Sequence, residues 1–155
     1  MALFRDELRI SSLYKSFGRK EVVKGIDFSM HTGEVLGLLG PNGAGKTTTF
    51  YMVVGFYKPT AGEVFLNNEC ITKLPMYQRA QKGISYLPQE PSVFRKFTVE
   101  ENIWSILENR KDLTKEQKKR RLEDLIEEFS IGRIRKQYAY TLSGGERRRT
   151  EIARS

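Results

Sequence analysis

Hydrophobic and polar residues alternate with a period of two in two stretches near the start of the chain. Residues 8–12 read Leu-Arg-Ile-Ser-Ser, and residues 26–30 read Ile-Asp-Phe-Ser-Met. The first stretch places Leu8, Ile10 and Ser12 on one face. Such alternation predicts strands with one buried and one solvated face, which suits an antiparallel sheet. We therefore expect an antiparallel β part at the start of the chain.

Two later stretches are apolar on both faces. Residues 35–39 (Val-Leu-Gly-Leu-Leu) and residues 83–89 (Gly-Ile-Ser-Tyr-Leu-Pro-Gln) have the composition of buried strands, and Pro88 ends the second. A strand covered on both faces is typical of the centre of a parallel sheet. Between them, Asn67 and Asn68 predict a β-hairpin turn.

Three stretches carry helix signals. Residues 46–54 are followed by Gly55, which closes a helix. Thr98–Glu101 and Thr114–Gln117 both have the pattern of a capping box, which opens a helix. The apolar residues expected on one side of the last two helices are Val99, Ile103, Ile106 and Leu107, and then Leu122, Leu125, Ile126 and Phe129.

The change of pattern after Gln89 divides the chain. We predict that residues 1–89 hold the antiparallel β part and the first portion of an α/β core. Residues 90–143 are predicted to form a helical subdomain, and residues 144–155 the start of a further helix.

Composition and charge narrow the class of protein. The chain of 155 residues is 39% hydrophobic and 30% charged, the balance of a globular protein. Its net charge of +8, from 27 basic and 19 acidic residues, suggests an anionic partner such as a nucleotide, a nucleic acid or a lipid surface. A solvated basic face explains the charge equally well. The single cysteine, Cys70, excludes a disulfide within the chain.

The densest basic run favours a solvated helix face. Lys118–Arg121 lies on a predicted helix together with Glu116, Glu123 and Asp124, so that both signs of charge occur on that helix. We therefore expect no nucleic acid partner. At the start of the chain, Arg5 stands among the acidic residues Asp6 and Glu7, where a signal peptide needs an apolar core. No apolar run is long enough to span a bilayer, so we expect a cytoplasmic protein.

A glycine-rich stretch after residue 39 matches the phosphate-loop pattern G-x-x-x-x-G-K-[ST]. The residues expected to contact the nucleotide are Gly40, Pro41, Asn42, Gly43, Ala44, Gly45, Lys46, Thr47 and Thr48. Glycine lets backbone N–H groups approach a polyphosphate closely, and the following helix points its positive end at the same anion. Lys46 is expected to reach the β- and γ-phosphates, and the Thr47 hydroxyl to complete a Mg²⁺ shell.

A second candidate phosphate contact is formed by Ser143, Gly144, Gly145 and Glu146. The S-x-x-E spacing alone predicts only a capping box. Glycine in a helix costs about 1 kcal/mol relative to alanine, which a cap alone does not explain. The two glycines leave first-turn N–H groups open to close approach, so we expect an anion here as well.

This order of motifs resembles the ATP-binding cassette (ABC) family over essentially the whole chain. The fold implied is α/β: a P-loop NTPase (RecA-like) ABC nucleotide-binding domain with an antiparallel β part and a helical subdomain, truncated before the Walker B strand. In the family, LSGGE sequences such as residues 142–146 contact the γ-phosphate of ATP held by the opposite subunit. The resemblance implies that Tyr14 stacks on adenine, with local packing of a strand-end tyrosine as the alternative. It also implies that Gln89 is the Q-loop glutamine, so that Thr47 and Gln89 are the residues expected at Mg²⁺.

Longer stretches resemble one branch of the family more specifically. GLLGPNGAGKTTTFYMVVG, GISYLPQEPSVFRKFTVEENI and LSGGERRRTEIAR are similar to the ATP-binding subunits of lipopolysaccharide-export transporters. The resemblance implies a homodimer that encloses two ATP molecules, peripheral on the cytoplasmic face of the inner membrane. Two transmembrane permease subunits would be contacted near Pro91 to Phe97. For Phe94 and Phe97 themselves, packing within the domain is the alternative.

Other functions fit the same motifs. One is the ATPase of another ABC transporter, such as the branched-chain amino-acid type, and another is a non-catalytic nucleotide-binding remnant. A DNA-repair or chromosome-structure ABC ATPase ranks low. Proteins of that class usually insert a long coiled coil between phosphate loop and signature, and no sustained heptads lie between Lys46 and Ser143.

Hydrolysis needs groups that the sequence does not contain. Phosphoryl transfer to water requires a held metal ion and an oriented water molecule. In the family, an acidic pair ending a buried strand (Walker B) and a switch histidine supply these after the signature helix. No apolar strand followed by Asp-Glu occurs here, and the one histidine, His31, precedes the phosphate loop. We expect an ATP hydrolase (translocase) as the full-length family member, with Gln89 as its only catalytic contributor present. The 155 residues themselves are expected to show little or no ATPase activity.

Overall fold

The computed structural model describes residues 6–155, so Arg5, used above in the argument about signal peptides, lies outside the described residues. The chain divides into two compact units of packing, Met1–Ser85 and Tyr86–Ser155. The predicted functional divisions at residues 89 and 143 stay predictions. None of the described helices is long and apolar enough to cross a membrane.

The first unit is built on a four-stranded antiparallel sheet. The strands are β1 (Glu7–Phe17), β2 (Lys20–His31), β3 (Ala61–Leu66) and β4 (Glu69–Cys70), in the spatial order β2-β1-β3-β4. All three pairings are antiparallel, as the period-two pattern predicts. The turn between β3 and β4 places Asn67 at φ 50° and Asn68 at φ 66°, the left-handed pair that a tight hairpin requires.

A bulge in β1 changes which residues point inward. The predicted face of Leu8, Ile10 and Ser12 ends at Ser12, which has φ 45° and donates its N–H to Asp27 Oδ1 at 2.7 Å. The pairing with β2 shifts register at this point, and Leu13 is fully buried instead. A bulge inserts one residue, and one residue exchanges the two faces of a strand.

Two helices complete the first unit. Helix α1 (Lys46–Val54) ends at Gly55, as predicted, with the glycine at φ 93°. Helix α2 (Met76–Gln81) has no strong sequence signal and was not predicted. The apolar core of this unit comes from the sheet, from α1 and from the segment after β4: Ile10, Leu13, Val23, Met52, Val53, Val64 and Ile71.

The two predicted parallel strands are wrong as secondary structure in this chain. Residues 34–41 and 84–88 are not in strands, and no described residue pairs with them as a ladder. Val35 is 99% exposed and Leu39 92% exposed, the opposite of a central strand. An apolar run becomes a buried parallel strand only when neighbouring strands and helices cover it, and the local pattern does not supply those neighbours.

The second unit is helical. It contains α3 (Val99–Leu107), α4 (Lys115–Glu128), two 3-10 turns (Gly132–Ile134 and Ala139–Thr141) and α5 (Gly144–Arg154). The capping boxes at Thr98 and Thr114 form as predicted, and Ile106 differs from prediction because it is 41% exposed. The core consists of Val93, Val99, Ile103, Leu107, Leu122, Leu125, Ile126, Ile131, Ile134, Ala139, Leu142 and Ala153, with Trp104 and Phe129 packed against it.

Candidate functional site: two phosphate-contact motifs and an exposed aromatic loop

The phosphate loop lies against strand β2. Gly45, the residue before α1, is buried and has φ 83°. A Cβ at Gly45 would stand 2.6 Å from the main-chain oxygen of Val22 in β2, so only glycine fits. With hydrogen as its side chain, Gly45 also offers no cap to the N–H groups of the first turn of α1. These donors therefore stay available for an anion.

Lys46 is folded back over the loop. Its Nζ donates to the carbonyl oxygens of Gly40 and Pro41, each at 2.6 Å. Thr47 follows on the exposed side of α1, Thr48 is half-buried, and Asn42, Gly43 and Ala44 are exposed. The predicted residues 40–48 thus form one continuous loop and helix start. A cation held over exposed backbone at a helix N-terminus suits a polyphosphate with its metal ion.

Two aromatic side chains on β1 are candidates to contact a nucleotide base. Tyr14, the predicted residue, is 38% exposed and packs on Gly25, where a Cβ would lie 2.5 Å from Tyr14 Oη. Phe17, at the end of the same strand, is 46% exposed and was not predicted. Its ring meets Tyr57 edge-on with centroids 5.4 Å apart, and Lys15 Nζ lies 5.0 Å from its centroid. The sequence signal for Phe17 is its position directly before a glycine at the end of the strand.

The second predicted phosphate contact forms a capped helix start. Ser143 Oγ accepts the N–H of Glu146 at 3.4 Å, and Glu146 Oε2 accepts the Ser143 N–H at 2.9 Å. The Ser143 hydroxyl, which donates to Glu146 Oε2 at 2.6 Å, and then the Ser143 N–H lower the pKa of the Glu146 carboxyl. A Cβ added at Gly144 or Gly145 would meet no atom within 4 Å among the described residues. The packing of this unit therefore does not require glycine at either position.

Gln89 and the segment 91–97 lie in the second unit. Gln89 is exposed at a bend, and the carbonyl of Pro88 before it accepts a hydrogen bond from Arg148 of α5 at 3.0 Å. Phe94 and Phe97 are 47% and 42% exposed, with ring centroids 5.2 Å apart. Packing within the unit thus leaves close to half of each ring uncovered.

Side chains without a sequence signal hold this segment. Asn102, fully buried in α3, accepts the Phe94 N–H at 2.8 Å and donates to the Phe94 carbonyl at 3.1 Å. From α5, Glu151 Oε1 accepts the Ser92 N–H at 2.8 Å, and Arg154 donates to the Ser92 carbonyl. The segment 91–97 is therefore rigidly attached to the helix that begins at the second motif.

A pair of tyrosines beside this segment was also missed. Tyr138 and Tyr140 are exposed and stacked, with centroids 5.6 Å apart and ring planes 10° from parallel. Main-chain hydrogen bonds join their stretch to the aromatic segment, from the Ala139 N–H to the Phe97 carbonyl and from the Tyr140 N–H to the Arg95 carbonyl. Alternate exposed tyrosines in a loop give no periodic signal.

Comparison with models of known protein families shows the family to which the chain belongs. The model of the ABC transporter family matches residues 23–155, which include both phosphate-contact motifs. The chain belongs to the ABC transporter family. The family resemblance of the motifs is thereby confirmed, and with it the α/β ATP-binding cassette fold.

Several relatives and solved structures are similar over nearly the whole chain. The lipopolysaccharide export system ATP-binding protein LptB of Haemophilus influenzae is 52% identical over 148 residues, and that of Escherichia coli K12 is 47% identical. The chain spans 61% of the length of each. The ADP conformation of MJ1267, an ATP-binding cassette of an ABC transporter, has a TM-score of 0.82 and 27% identity, over 96% of this chain and 63% of that one. The cbiO1 protein of Clostridium perfringens, part of the cbiONQ ABC transporter complex, also has a TM-score of 0.82, with 25% identity. That match covers 94% of this chain and 59% of the cbiO1 chain.

Proposed function

We propose that the protein is an ATP-binding subunit of an ABC transporter, and that the full-length form powers extraction of lipopolysaccharide from the bacterial inner membrane. The observation that carries the nucleotide-binding part is the loop at residues 40–48. There, Lys46 Nζ sits over exposed backbone at the uncapped start of α1. The lipopolysaccharide part rests on relatives named as export-system ATP-binding proteins at 47–52% identity.

Residues of this chain have distinct tasks in that proposal. The N–H groups at the start of α1 bind phosphate oxygens, and Lys46 moves from the Gly40 and Pro41 carbonyls to the β- and γ-phosphates. Thr47 and Gln89 would hold Mg²⁺, which supplies charge neutralisation at the phosphate oxygens when bound. Ser143–Glu146 would meet the γ-phosphate bound by a second subunit, since its glycines are open to an external ligand.

Nucleotide binding is tested with the 155-residue chain itself. Affinity for a fluorescent ATP analogue with Mg²⁺ is measured for the unaltered chain, for Lys46→Ala and for Lys73→Ala, an exposed lysine of the same unit. Loss of the Lys46 contact is expected to weaken binding at least tenfold, and loss of Lys73 to change it less than twofold. Equal affinity of the Lys46 and Lys73 variants would contradict the proposal.

Turnover separates the transporter from the alternatives. We expect the 155 residues to bind ATP without measurable hydrolysis, because their sequence has no apolar strand followed by Asp-Glu to hold the metal ion and water. Phosphate release by this chain that Lys46→Ala abolishes would contradict that expectation. Depletion of the full-length protein in its native cell should leave lipopolysaccharide in the inner membrane. Normal lipopolysaccharide with failed uptake of branched-chain amino acids would favour the other transporter class. No transport defect would favour a nucleotide-binding remnant.

The base contact is also open to experiment. Tyr14 stays our first proposal for adenine stacking, and the greater exposure of Phe17 at the strand end makes it the alternative. Stacking on a base contributes about 1–3 kcal/mol. Tyr14→Ala and Phe17→Ala should therefore differ by roughly tenfold or more in ATP affinity, with the larger loss at the stacking residue.

Partners follow from the exposed surfaces of the second unit. Two copies of the full-length chain would enclose two ATP molecules. In each copy, the rings of Phe94 and Phe97 would receive an apolar helix of one of the two permease subunits. Capture of the full-length protein by the permease subunits should be lost in Phe94→Ser and kept in Phe129→Leu, a conservative change at a ring packed on the core. Equal capture of both variants would contradict this docking site.

A further inference from the structure

Arg79, in helix α2, is the largest fully buried side chain of the described residues, with 1% of its surface exposed. No carboxylate forms a salt bridge with it within residues 6–155. A buried cation without a counter-charge is costly unless hydrogen bonds satisfy it. A side chain of this kind needs an explanation that core packing alone does not give.

Among the described residues, the guanidinium donates only to main-chain carbonyl groups. Nη1 donates to the carbonyl oxygens of Met52 and Val53, each at 2.7 Å. Nη2 donates to Thr72 at 2.8 Å and Nε to Leu74 at 2.9 Å. Four acceptors arranged around one planar group suit arginine and not lysine, since only arginine has donors in a rigid fork.

Met52 and Val53 lie in the last turn of α1, where carbonyl groups have no partner within the helix. The helix has no basic residue of its own in that turn. A positive charge at the carboxyl end of a helix also interacts favourably with the helix dipole. Gly55 makes room for this contact, because a Cβ there would lie 3.0 Å from Arg79 Nε.

We propose that Arg79 is a positioning residue for the phosphate loop: by binding the last carbonyl groups of α1, it fixes the helix whose first residue is Lys46. The side chains of Met52 and Val53 hold the same helix against the core. Because Arg79 also binds Thr72 and Leu74, it ties the end of α1 to the segment after β4. The inference rests on the proposed nucleotide binding for its functional part, whereas its structural part is independent of any nucleotide.

The structural part is tested by hydrogen exchange of the full 155-residue chain. Arg79→Met removes the donors, Arg79→Lys keeps the charge, and Arg9→Met alters an arginine of the same unit that packs on Phe65 instead. In Arg79→Met, exchange in residues 46–54 should accelerate roughly tenfold while strand residues 7–17 change less than twofold. Unchanged exchange in 46–54, or equal acceleration of both segments, would overturn the proposal.

The functional part is read from phosphate binding alone. Inorganic tripolyphosphate has no base or ribose, so we expect it to displace a fluorescent ATP analogue through the phosphate loop alone. Its inhibition constant should rise about tenfold in Arg79→Met, rise less in Arg79→Lys and stay unchanged in Arg9→Met. An unchanged constant in Arg79→Met would overturn the positioning role.

Three further results remain decisive. If the fluorescent ATP analogue does not bind the unaltered chain, the proposed nucleotide binding fails, and with it the functional part. If the analogue binds but tripolyphosphate does not displace it, the phosphate loop does not hold the nucleotide, and the positioning role is overturned. The exchange data then decide the structural part alone. If Arg79→Met does not fold, both measurements are made on Arg79→Lys. Faster hydrogen exchange confined to residues 46–54 and a raised inhibition constant of tripolyphosphate are still expected. Wild-type behaviour of Arg79→Lys in both would overturn the proposal.

Discussion

Replacing Asn102 with alanine should destabilise the helical unit far more than an ordinary asparagine substitution. The Asn102 side chain is fully buried, and its amide accepts the Phe94 N–H and donates to the carbonyls of Phe94 and Thr98 at 3.1 and 2.9 Å. Alanine leaves the Phe94 N–H without this partner, whereas the Phe94 carbonyl keeps the hydrogen bond from the Phe97 N–H at 3.0 Å. A buried polar group that loses its partner costs about 1–3 kcal/mol. With a small cavity added, we expect a loss of about 3 kcal/mol, a large share of a typical domain stability of about 5–15 kcal/mol.

The single tryptophan makes the measurement selective. Trp104 packs against the core of the second unit, so its fluorescence during urea unfolding reports that unit. Asn109→Ala is the matched control, because Asn109 is exposed and makes one side-chain hydrogen bond, to Ser105 at 2.8 Å. If the Asn102 and Asn109 variants differ by less than about 0.5 kcal/mol, the reasoning from buried hydrogen bonds is refuted.

Three further predictions concern other contacts. Gly62→Ala should lower the free energy of unfolding by about 2–4 kcal/mol, because its Cβ would overlap the β1 backbone. Gly18→Ala, also at positive φ but in open space, should lower it by about 1 kcal/mol, and urea unfolding followed by circular dichroism measures both. Since the folded pKa of Glu146 is lowered, its contribution is full above its ordinary value of 4.5 and is lost as pH falls through the folded pKa, so the stability difference between wild type and Glu146→Gln should shrink as pH falls below 4.5. Arg135→Met should lower the free energy of unfolding, followed by Trp fluorescence, by about 1–2 kcal/mol. It should also raise the pKa of Glu100, because Arg135 Nε donates to the Glu100 carboxylate at 3.0 Å, and an unchanged Glu100 titration would contradict this.

Features encoded in a few neighbouring residues were predictable from the sequence. The capping boxes at Thr98 and Thr114, the hairpin turn at residues 67–68 and the helix closed by Gly55 all form as expected. In each case the hydrogen-bond partner lies within four residues, so the local sequence contains the whole interaction. The order of the two phosphate-contact motifs was enough to indicate the family.

Features that depend on distant partners were not predictable in the same way. The apolar run at 35–39 has the composition of a central strand, but strand formation needs neighbours that the pattern cannot specify. Arg79 and Asn102 carry no motif, because the acceptors that they bind are main-chain carbonyls, which every residue possesses.

The glycines of the phosphate loop and those of the 143–146 motif are present for different reasons. Gly45 is required by the fold, since a side chain there would collide with Val22 of β2. Gly144 and Gly145 are not required by any described contact, although they weaken the helix that they begin. Residues that cost stability without easing local packing are expected at functional sites, which is why we propose an external ligand for these two glycines. Gly144→Ala should therefore stabilise α5 by about 1 kcal/mol while weakening any ATP-dependent association of the full-length protein, and unimpaired association would show that these glycines have no such ligand.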